Sequence, residues 1–259
     1  MKMTRKAFLE LVGASMVAVS GEKILKALEG SRGAASQTEN GAAAPRKSWA
    51  MVVDTRLCLK QEGCTKCLEA CNDAHNVPVF HNPNHEVKWI WKEPFENVFA
   101  AEQIPFIEVA LKGQKAPVLC NHCDNPPCVR VCPTGATWKR ETDGIVMMDW
   151  HRCIGCRYCM AACPYGSRSF NWVDPRSHLK VLNPAFPTRT KGVVEKCTFC
   201  AERLDQAQTP ACVEACPVDA LIFGNLMDPA SRVRKLLGSG ITLRRRPELG
   251  TGPNIYYII

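Results

Sequence analysis

With 259 residues, 46% of them hydrophobic, the chain is long enough to form one large domain or two small domains around a shared core. Its sixteen cysteines far exceed ordinary usage, so disulfides, zinc or iron–sulfur clusters must account for them. The formal net charge of +8 would be offset by roughly −8 from four oxidised clusters with their thiolates, so we expect internal charge compensation and no nucleic-acid partner.

The first 35 residues predict an export signal. A basic start is followed by an apolar stretch at residues 7–19 and then by small residues. Residues 4–9 resemble the twin-arginine pattern, except that Lys6 stands in place of the second arginine. A helix of the folded domain is the alternative, because charges such as Glu10 interrupt the apolar stretch. Since no segment holds the roughly twenty apolar residues of a membrane span, we expect a soluble or peripheral mature protein.

Two short strands are predicted directly before cysteine groups. Residues 36–47 lack apolar periodicity and predict a linker, so the folded part is expected to begin near Trp49. Residues 50–54 predict a strand that runs into the first group, and residues 145–149 predict the same arrangement before the third group. This similarity indicates an internal repeat.

The cysteines fall into four groups of four. They are Cys58, Cys64, Cys67 and Cys71; Cys120, Cys123, Cys128 and Cys132; Cys153, Cys156, Cys159 and Cys163; and Cys197, Cys200, Cys212 and Cys216. The third group is the complete bacterial ferredoxin run CxxCxxCxxxCP. The second group widens one gap to four residues, the fourth widens the same gap to eleven, and the first widens its initial gap to five.

The spacing has a physical reason. Three cysteines close in sequence can wrap a loop around one face of a cubane cluster, and small residues such as Gly155 let backbone N–H groups approach the sulfurs. The last cysteine of a group begins a helix or turn and points away, so it binds the neighbouring cluster. A proline follows that cysteine in every group except the first, where Asn72 stands.

The groups pair into two modules. Groups two and three are joined by a predicted β-hairpin, with strands at residues 136–139 and 145–148, and form a module at residues 115–170. Groups one and four then pair across it, in a module at residues 48–114 and 171–259. The predicted fold is therefore α+β, with two nested bacterial-type 2[4Fe-4S] ferredoxin modules and loop-rich insertions.

This pairing predicts four [4Fe-4S] clusters with all sixteen cysteines as iron ligands, and no catalytic residue. The four predicted ligand sets are Cys58, Cys64, Cys67 and Cys216; Cys71, Cys197, Cys200 and Cys212; Cys120, Cys123, Cys128 and Cys163; and Cys132, Cys153, Cys156 and Cys159. Cys58 is the least secure ligand, because its group has a wider gap and lacks the proline.

Other cysteine chemistries fit less well. Zinc favours Cys₄ sites with CxxC halves, but it gives no reason for triplets or for the CxxxCP ends. Disulfides would suit an exported protein, yet cysteines two residues apart rarely bridge each other. Haem attachment is disfavoured because no CxxC is followed by histidine.

A few residues outside the cysteine groups invite a functional interpretation. His122 could hydrogen-bond a cluster sulfur, although a solvated loop histidine is the favoured interpretation. Val87, Trp89 and Trp91 predict a strand with an apolar face for core packing, with a docking surface as the alternative. The basic triplet at residues 244–246 is expected to be solvated rather than a binding patch.

The cysteine groups and several further segments together resemble a known protein family. The further segments are residues 195–200, 210–213, 216–217 and 247–251. With these, the chain from Trp49 to its end resembles the four-cluster iron–sulfur subunits of the molybdopterin oxidoreductase (DMSO reductase) family. Three segments most resemble the periplasmic DsrO subunits of the DsrMKJOP complex of dissimilatory sulfur metabolism, and these are residues 88–94, 120–128 and 165–172.

The resemblance implies a relay of single electrons without a substrate site. The implied partners are an NrfD-type integral membrane subunit that interacts with quinone and a periplasmic multihaem cytochrome c. The implied location is the periplasmic side of the cytoplasmic membrane, with peripheral attachment through these partners. Two alternatives are the iron–sulfur subunit of a molybdopterin enzyme that reduces tetrathionate, thiosulfate or arsenate, and a structural zinc-binding protein.

Overall fold

The computed structural model describes residues 47–99 and 111–259. The predicted signal at residues 1–35 and the predicted linker, apart from Lys47, lie outside the described residues. The described part is a mixture of short helices and small sheets, as expected for an α+β fold. It belongs to a single compact unit.

The strands of the described residues form one three-stranded sheet and three hairpin-like pairs. They are β1 (Trp49–Asp54), β2 (Ile90–Pro94), β3 (Lys115–Leu119), β4 (Thr137–Lys139), β5 (Val146–Met148), β6 (Ser169–Phe170), β7 (Val194–Glu195), β8 (Leu221–Asn225) and β9 (Ile255–Ile258). β1 is central in the larger sheet, with β8 antiparallel on one side and β9 parallel on the other. The register places Val53 opposite Leu221 and Tyr257.

The helices are short and most of them follow or contain a cysteine. They are α1 (Thr55–Leu59), α2 (Lys66–His75), α3 (Phe95–Val98), α4 (Pro127–Arg130), α5 (Tyr158–Ala162), α6 (Ala201–Leu204), α7 (Ala211–Glu214) and α8 (Arg232–Ser239), with 3₁₀ turns at Pro83–His85, Pro175–His178 and Pro247–Leu249. None of the helices within residues 47–99 and 111–259 is both long enough and apolar enough to cross a membrane.

Local signals explain where the helices around the first cysteine group begin and end. Asp54 caps α1, because its carboxylate accepts hydrogen bonds from the N–H groups of Arg56 and Leu57. α2 ends at Asn76, which takes a left-handed conformation with φ 52° that asparagine tolerates better than most residues. These two helices hold Cys58, Cys67 and Cys71 in fixed positions.

Two strand pairs have the same relation to the cysteine groups. β4 follows the second group and pairs antiparallel with β5, which precedes the third group, as the sequence predicts. In the same way β8 follows the fourth group and pairs antiparallel with β1, which precedes the first group. The chain therefore repeats one strand–cysteine arrangement, although 166 residues separate the end of β1 from the start of β8, since β1 ends at 54 and β8 starts at 221.

The predicted aromatic strand contributes to the main core. Val87, Trp89 and Trp91 are all buried, as the core-packing interpretation requires, although β2 begins only at Ile90. The imidazole of His75 stacks on Trp89 at 4.8 Å between ring centroids. This core covers one face of β1, and α8 covers the opposite face, where Val233 is fully buried.

Candidate iron–sulfur sites

Two cavities are each lined by four cysteine side chains, and they correspond to two of the predicted ligand sets. Site C is the cavity lined by Cys120, Cys123, Cys128 and Cys163. Site D is the cavity lined by Cys132, Cys153, Cys156 and Cys159. In each cavity three cysteines come from one group and the fourth from the neighbouring group.

Site A consists of Cys58, Cys64, Cys67 and Cys216. Burial raises the pKa of the Cys58 thiol, and the nearby thiols of Cys216 and Cys64 raise it further. Burial also raises the pKa of Cys67 to about 12, and the thiols of Cys58, Cys216 and Cys64 again lie nearby. Cys216 therefore lies near three cysteines that precede it in the sequence by more than 140 residues.

Site B consists of Cys71, Cys197, Cys200 and Cys212. Burial raises the pKa of Cys212 well above its usual value, and the nearby thiols of Cys71, Cys200 and Cys197 add to this effect. Buried neutral thiols must lose their protons to bind iron, so cluster assembly at this site releases protons. The structure thus gathers the cysteines of all four predicted sets, and their role as iron ligands stays a prediction.

Neighbouring thiols connect the four sites in the order A, B, C, D, a sequence of sites that we call the row. Successive sites approach each other through neighbouring thiols, which are Cys67 and Cys212, then Cys197 and Cys120, then Cys128 and Cys159. Every cysteine of site B is buried, whereas three cysteines of site A and three of site D are half-buried. The two ends of the row are therefore the parts closest to solvent.

The loops that carry the cysteines share one backbone feature. The residue before the second cysteine of each group has φ between 42° and 69°, and these residues are Gly63, His122, Gly155 and Phe199. A left-handed residue at this point turns the following N–H groups toward the enclosed sulfurs. Glycine at this position predicts the turn in the first and third groups. Histidine and phenylalanine rarely adopt a positive φ, so the sequence does not predict the turn in the other two groups.

Backbone N–H groups donate to cysteine sulfurs in the fourth group. These bonds run from Phe199 to Cys197 at 3.4 Å, from Ala211 to Cys200 at 3.4 Å and from Ala220 to Cys216 at 3.2 Å. Such donors stabilise thiolates and tune the cluster that they bind. Together with four thiols per site, they fit the Cys₄ ligation of a [4Fe-4S] cluster.

All sixteen cysteines lie in the described ranges, and each is a free thiol. The disulfide alternative therefore has no support in the structure. Four groups of thiols held together without bridging each other are what a bound metal or cluster requires.

Sequence reasoning missed two cations that lie among these sites. Lys196 is fully buried, and its ammonium group donates to the carbonyl oxygens of Val146 and Cys197. Arg168 is 5% exposed, and its guanidinium donates to Thr137 Oγ1 at 2.8 Å. Charged residues are rarely this buried without a charged partner, so no pattern in the sequence indicates their positions.

The expectation of a solvated His122 is wrong. This side chain is buried and stacks on Phe199 with 3.8 Å between ring centroids. Its Nδ1 accepts a hydrogen bond from the N–H of Val146, and burial holds its pKa well below the usual value. His122 is therefore a neutral core residue beside site C.

Two family models match the chain, both described as a 4Fe-4S dicluster domain. One covers residues 111–178, which include the second and third cysteine groups, and the other covers residues 152–220, which include the third and fourth groups. The matches therefore support at least two [4Fe-4S] clusters.

Curated relatives match over most of their length. The chain is 44% identical to the Hdr-like menaquinol oxidoreductase iron–sulfur subunit 1 of Archaeoglobus fulgidus, over 82% of this chain and 83% of the relative. It is 39% identical to the iron–sulfur cluster-binding subunit of the menaquinone reductase of Nitratidesulfovibrio vulgaris, over 81% and 88%. It is 34% identical to a subunit of the tetrathionate reductase of Salmonella typhimurium, over 100% and 89%.

The chain belongs to the iron–sulfur subunits of oxidoreductase complexes. Like these relatives, this iron–sulfur subunit is an electron-transfer protein rather than the catalytic subunit of its complex. Its fold contains 4Fe-4S dicluster domains within a mixed arrangement of helices and small sheets.

The basic triplet at residues 244–246 of this iron–sulfur subunit was expected to be solvated. For Arg245, its middle residue, this expectation is wrong. Arg245 is 6% exposed, and its guanidinium lies 5.5 Å from the ring centroid of Tyr165. Its Nε donates to the carbonyl oxygen of Val98 at 3.4 Å. Arg245 therefore ties the C-terminal segment to the core instead of contributing to a surface patch.

Proposed function

We propose that this subunit relays single electrons through four [4Fe-4S] clusters, one at each of sites A to D. The observation that carries the proposal is the row of four tetracysteine sites, each completed by a cysteine from a partner group. In this arrangement the second and third groups form one ferredoxin module, and the first and fourth groups form the other around it. Each cluster would accept one electron from a neighbour and pass it to the next.

The exposure of the sites supports a relay with two ends. Sites A and D are the terminal members of the row and contain most of the half-buried cysteines. The inner site B consists of buried cysteines only. A redox partner would therefore exchange electrons at A or D, while the interior clusters are shielded from solvent and oxidants.

For partners, we propose an NrfD-type membrane subunit that interacts with quinone and a periplasmic multihaem cytochrome c. The names of two relatives, a menaquinol oxidoreductase and a menaquinone reductase, support a quinone-linked complex. The resemblance of residues 88–94, 120–128 and 165–172 to DsrO subunits supports a role in sulfur metabolism. The signal-like residues 1–35 support a periplasmic location.

A second candidate is the iron–sulfur subunit of a molybdopterin oxyanion reductase. It is favoured by the match to the tetrathionate reductase of Salmonella typhimurium, which extends over the whole of this chain. The arsenate respiratory reductase iron–sulfur subunit ArrB of Shewanella is also 37% identical over 80% of the chain. In this candidate the same four clusters would deliver electrons to a partner that holds the active site.

The test is anaerobic purification of the chain with its native complex. We expect about sixteen iron and sixteen sulfide per chain, because each of four clusters contributes four of each. Co-purification of a quinone-binding membrane subunit and a cytochrome c supports the first candidate, and co-purification of a molybdenum-containing subunit supports the second. Stoichiometric zinc in place of iron, or about twelve iron per chain, would contradict the four-cluster proposal.

A further inference from the structure

Lys196 lies between site B and site C. Its Nζ donates to the carbonyl oxygen of Cys197 at 2.6 Å, and Cys197 is a member of site B. It also donates to the carbonyl oxygen of Val146, a residue that lines the cavity of site C. Both partners are acceptors, which the ammonium form satisfies. Burial lowers the pKa of Lys196, and the neighbouring thiols of Cys120 and Cys197 act to raise it. A basic side chain therefore stands between two neighbouring sites.

Arg168 occupies the matching position between site C and site D. It lines the cavity of site C, and its Nη2 donates to Thr137 Oγ1 at 2.8 Å. Its Nη1 lies 3.7 Å from the sulfur of Met148. Thr137 and Met148 both line the cavity of site D. The guanidinium thus reaches from one cavity to the next.

Neither cation forms an ion pair with a carboxylate within the part of the chain that the structure describes. Their hydrogen-bonding partners are carbonyl oxygens, a hydroxyl group and the thioether of Met148. The Arg168 guanidinium also lies close to the thiols of Cys128 and Cys159. Elsewhere the fold pairs a buried arginine directly, since Arg189 and Glu195 meet at 2.6 Å with both side chains fully buried. Because an uncompensated buried charge is strongly unfavourable, a counter-charge must lie close to Lys196 and Arg168.

We propose that Lys196 and Arg168 set the reduction potentials of the inner clusters, with site C affected by both. The inference rests on the proposed function, because clusters at sites B, C and D are the counter-charge that these cations lack. Lys196 would act on sites B and C, and Arg168 on sites C and D. Site C is then the shared site, with a buried cation on each side.

The direction of the effect follows from charge. An oxidised cluster with four thiolates carries roughly −2, and after gaining one electron from its neighbour it carries roughly −3. A nearby cation stabilises the more negative form, and it does so strongly where solvent screening is weak. Lys196 and Arg168 therefore raise the potentials of the clusters beside them and favour reduction there.

The experiment is an EPR-monitored redox titration of the anaerobically purified complex. In Lys196→Met and in Arg168→Gln we expect the equilibrium constant for reduction to fall about tenfold at two clusters. This change corresponds to a reduction potential lower by 59 mV for a one-electron couple. One of these clusters should be affected in both variants, because both cations flank site C. In the double variant the equilibrium constant for reduction of that shared cluster should fall about a hundredfold if the two effects add.

Three control variants test whether burial and charge are both needed. Arg152→Gln removes an equal charge beside Cys153, but from a side chain that is 68% exposed, so the potentials should change less than about twofold. Lys196→Arg and Arg168→Lys retain the positive charge, so they should also leave the four potentials within about twofold.

Iron content separates failure of this inference from failure of the proposed function. Neutral variants that keep sixteen iron and unchanged potentials would overturn the inference while the four-cluster relay stands. If the neutral variants lose iron, the charge-retaining variants decide. Retention of sixteen iron with unchanged potentials shows that the clusters require the positive charge and supports the inference, whereas loss of iron or shifts of about tenfold overturn it. Fewer than sixteen iron in the wild-type chain would contradict the proposed function itself.

Discussion

The guanidinium of Arg189 lies 2.6 Å from the carboxylate of Glu195, and both side chains are fully buried. Glu195 also accepts a hydrogen bond from Trp89 Nε1 at 3.0 Å, and Arg189 donates to the carbonyl oxygen of Asn76 at 2.7 Å. The pair therefore joins the end of α2, which carries Cys71, to the strand that leads into the fourth cysteine group. This buried ion pair therefore contributes to the connection between two parts of site B.

Glu195→Gln is expected to be strongly destabilising. The change leaves the Arg189 guanidinium buried without its counter-charge, which costs about 3–5 kcal/mol. Chemical denaturation followed by loss of the visible cluster absorbance measures the effect. The matched control is Glu69→Gln, at a solvent-exposed ion pair with Lys66, where the cost should stay below about 1 kcal/mol. Equal costs in the two variants would show that the buried pair has no special role.

The sequence predicted the parts of the fold that are determined locally. The strands before the first and third cysteine groups and the β4–β5 hairpin follow from apolar patterns and a turn signal a few residues long. The cysteine spacing also predicted which thiols come together, because a cluster imposes its own geometry on the loops around it. Both kinds of signal are contained in short stretches of chain.

The remaining features depend on contacts between distant segments. The pairing of β9 beside β1 joins residues about 200 positions apart, and nothing in either strand specifies the other. Lys196, Arg168 and His122 look like solvent-exposed residues in the sequence. They are buried by contacts with residues distant in the sequence, such as that of Lys196 with Val146, and those contacts are visible only in three dimensions.

Gly155→Ala should disrupt site D. Gly155 has φ 69° in the loop between Cys153 and Cys156, and an added Cβ would overlap the carbonyl oxygen of Gly192 and lie 3.2 Å from the ring of Phe170. The left-handed conformation costs about 1–2 kcal/mol for alanine, and the steric overlap adds about 1–3 kcal/mol. Denaturation and iron content measure the loss of stability and of the cluster.

Gly166→Ala is the matched control for that prediction. Gly166 has φ 64°, but the space around its Cβ position is open. The variant therefore carries only the backbone strain, about 1–2 kcal/mol, and should retain all its iron. If Gly155→Ala is no more destabilising than Gly166→Ala, close packing against Gly192 is not important for the site.

Export should depend on Arg5 and Lys6, which lie outside the described residues. Clusters are assembled in the reducing cytoplasm, so the protein should cross the membrane already folded, by a twin-arginine-like route. Changing both residues to Gln should leave the cluster-loaded protein in the cytoplasm, as cell fractionation with iron analysis would show. A fully periplasmic double variant with intact clusters would rule out the signal interpretation.

Cys71→Ala should damage a cluster held mainly by the other end of the chain. Cys71 is buried in α2, four residues after Cys67, yet its thiol lies near Cys200 rather than among the cysteines of site A. Removing it should therefore impair the cluster at site B and spare the cluster at site A. Cluster binding is coupled to the folding of the loops that supply ligands, so the contact between α2 and α7 should loosen as well.

EPR of reduced samples compares Cys71→Ala with Cys197→Ala and Cys67→Ala. The first two variants should lose the same cluster signal, because Cys71 and Cys197 are assigned to site B, and Cys67→Ala should lose a different one. If Cys71→Ala and Cys67→Ala instead lost the same signal, each cysteine group would bind its own cluster. The nested pairing of the first and fourth groups would then be wrong, even though the structure brings their thiols together.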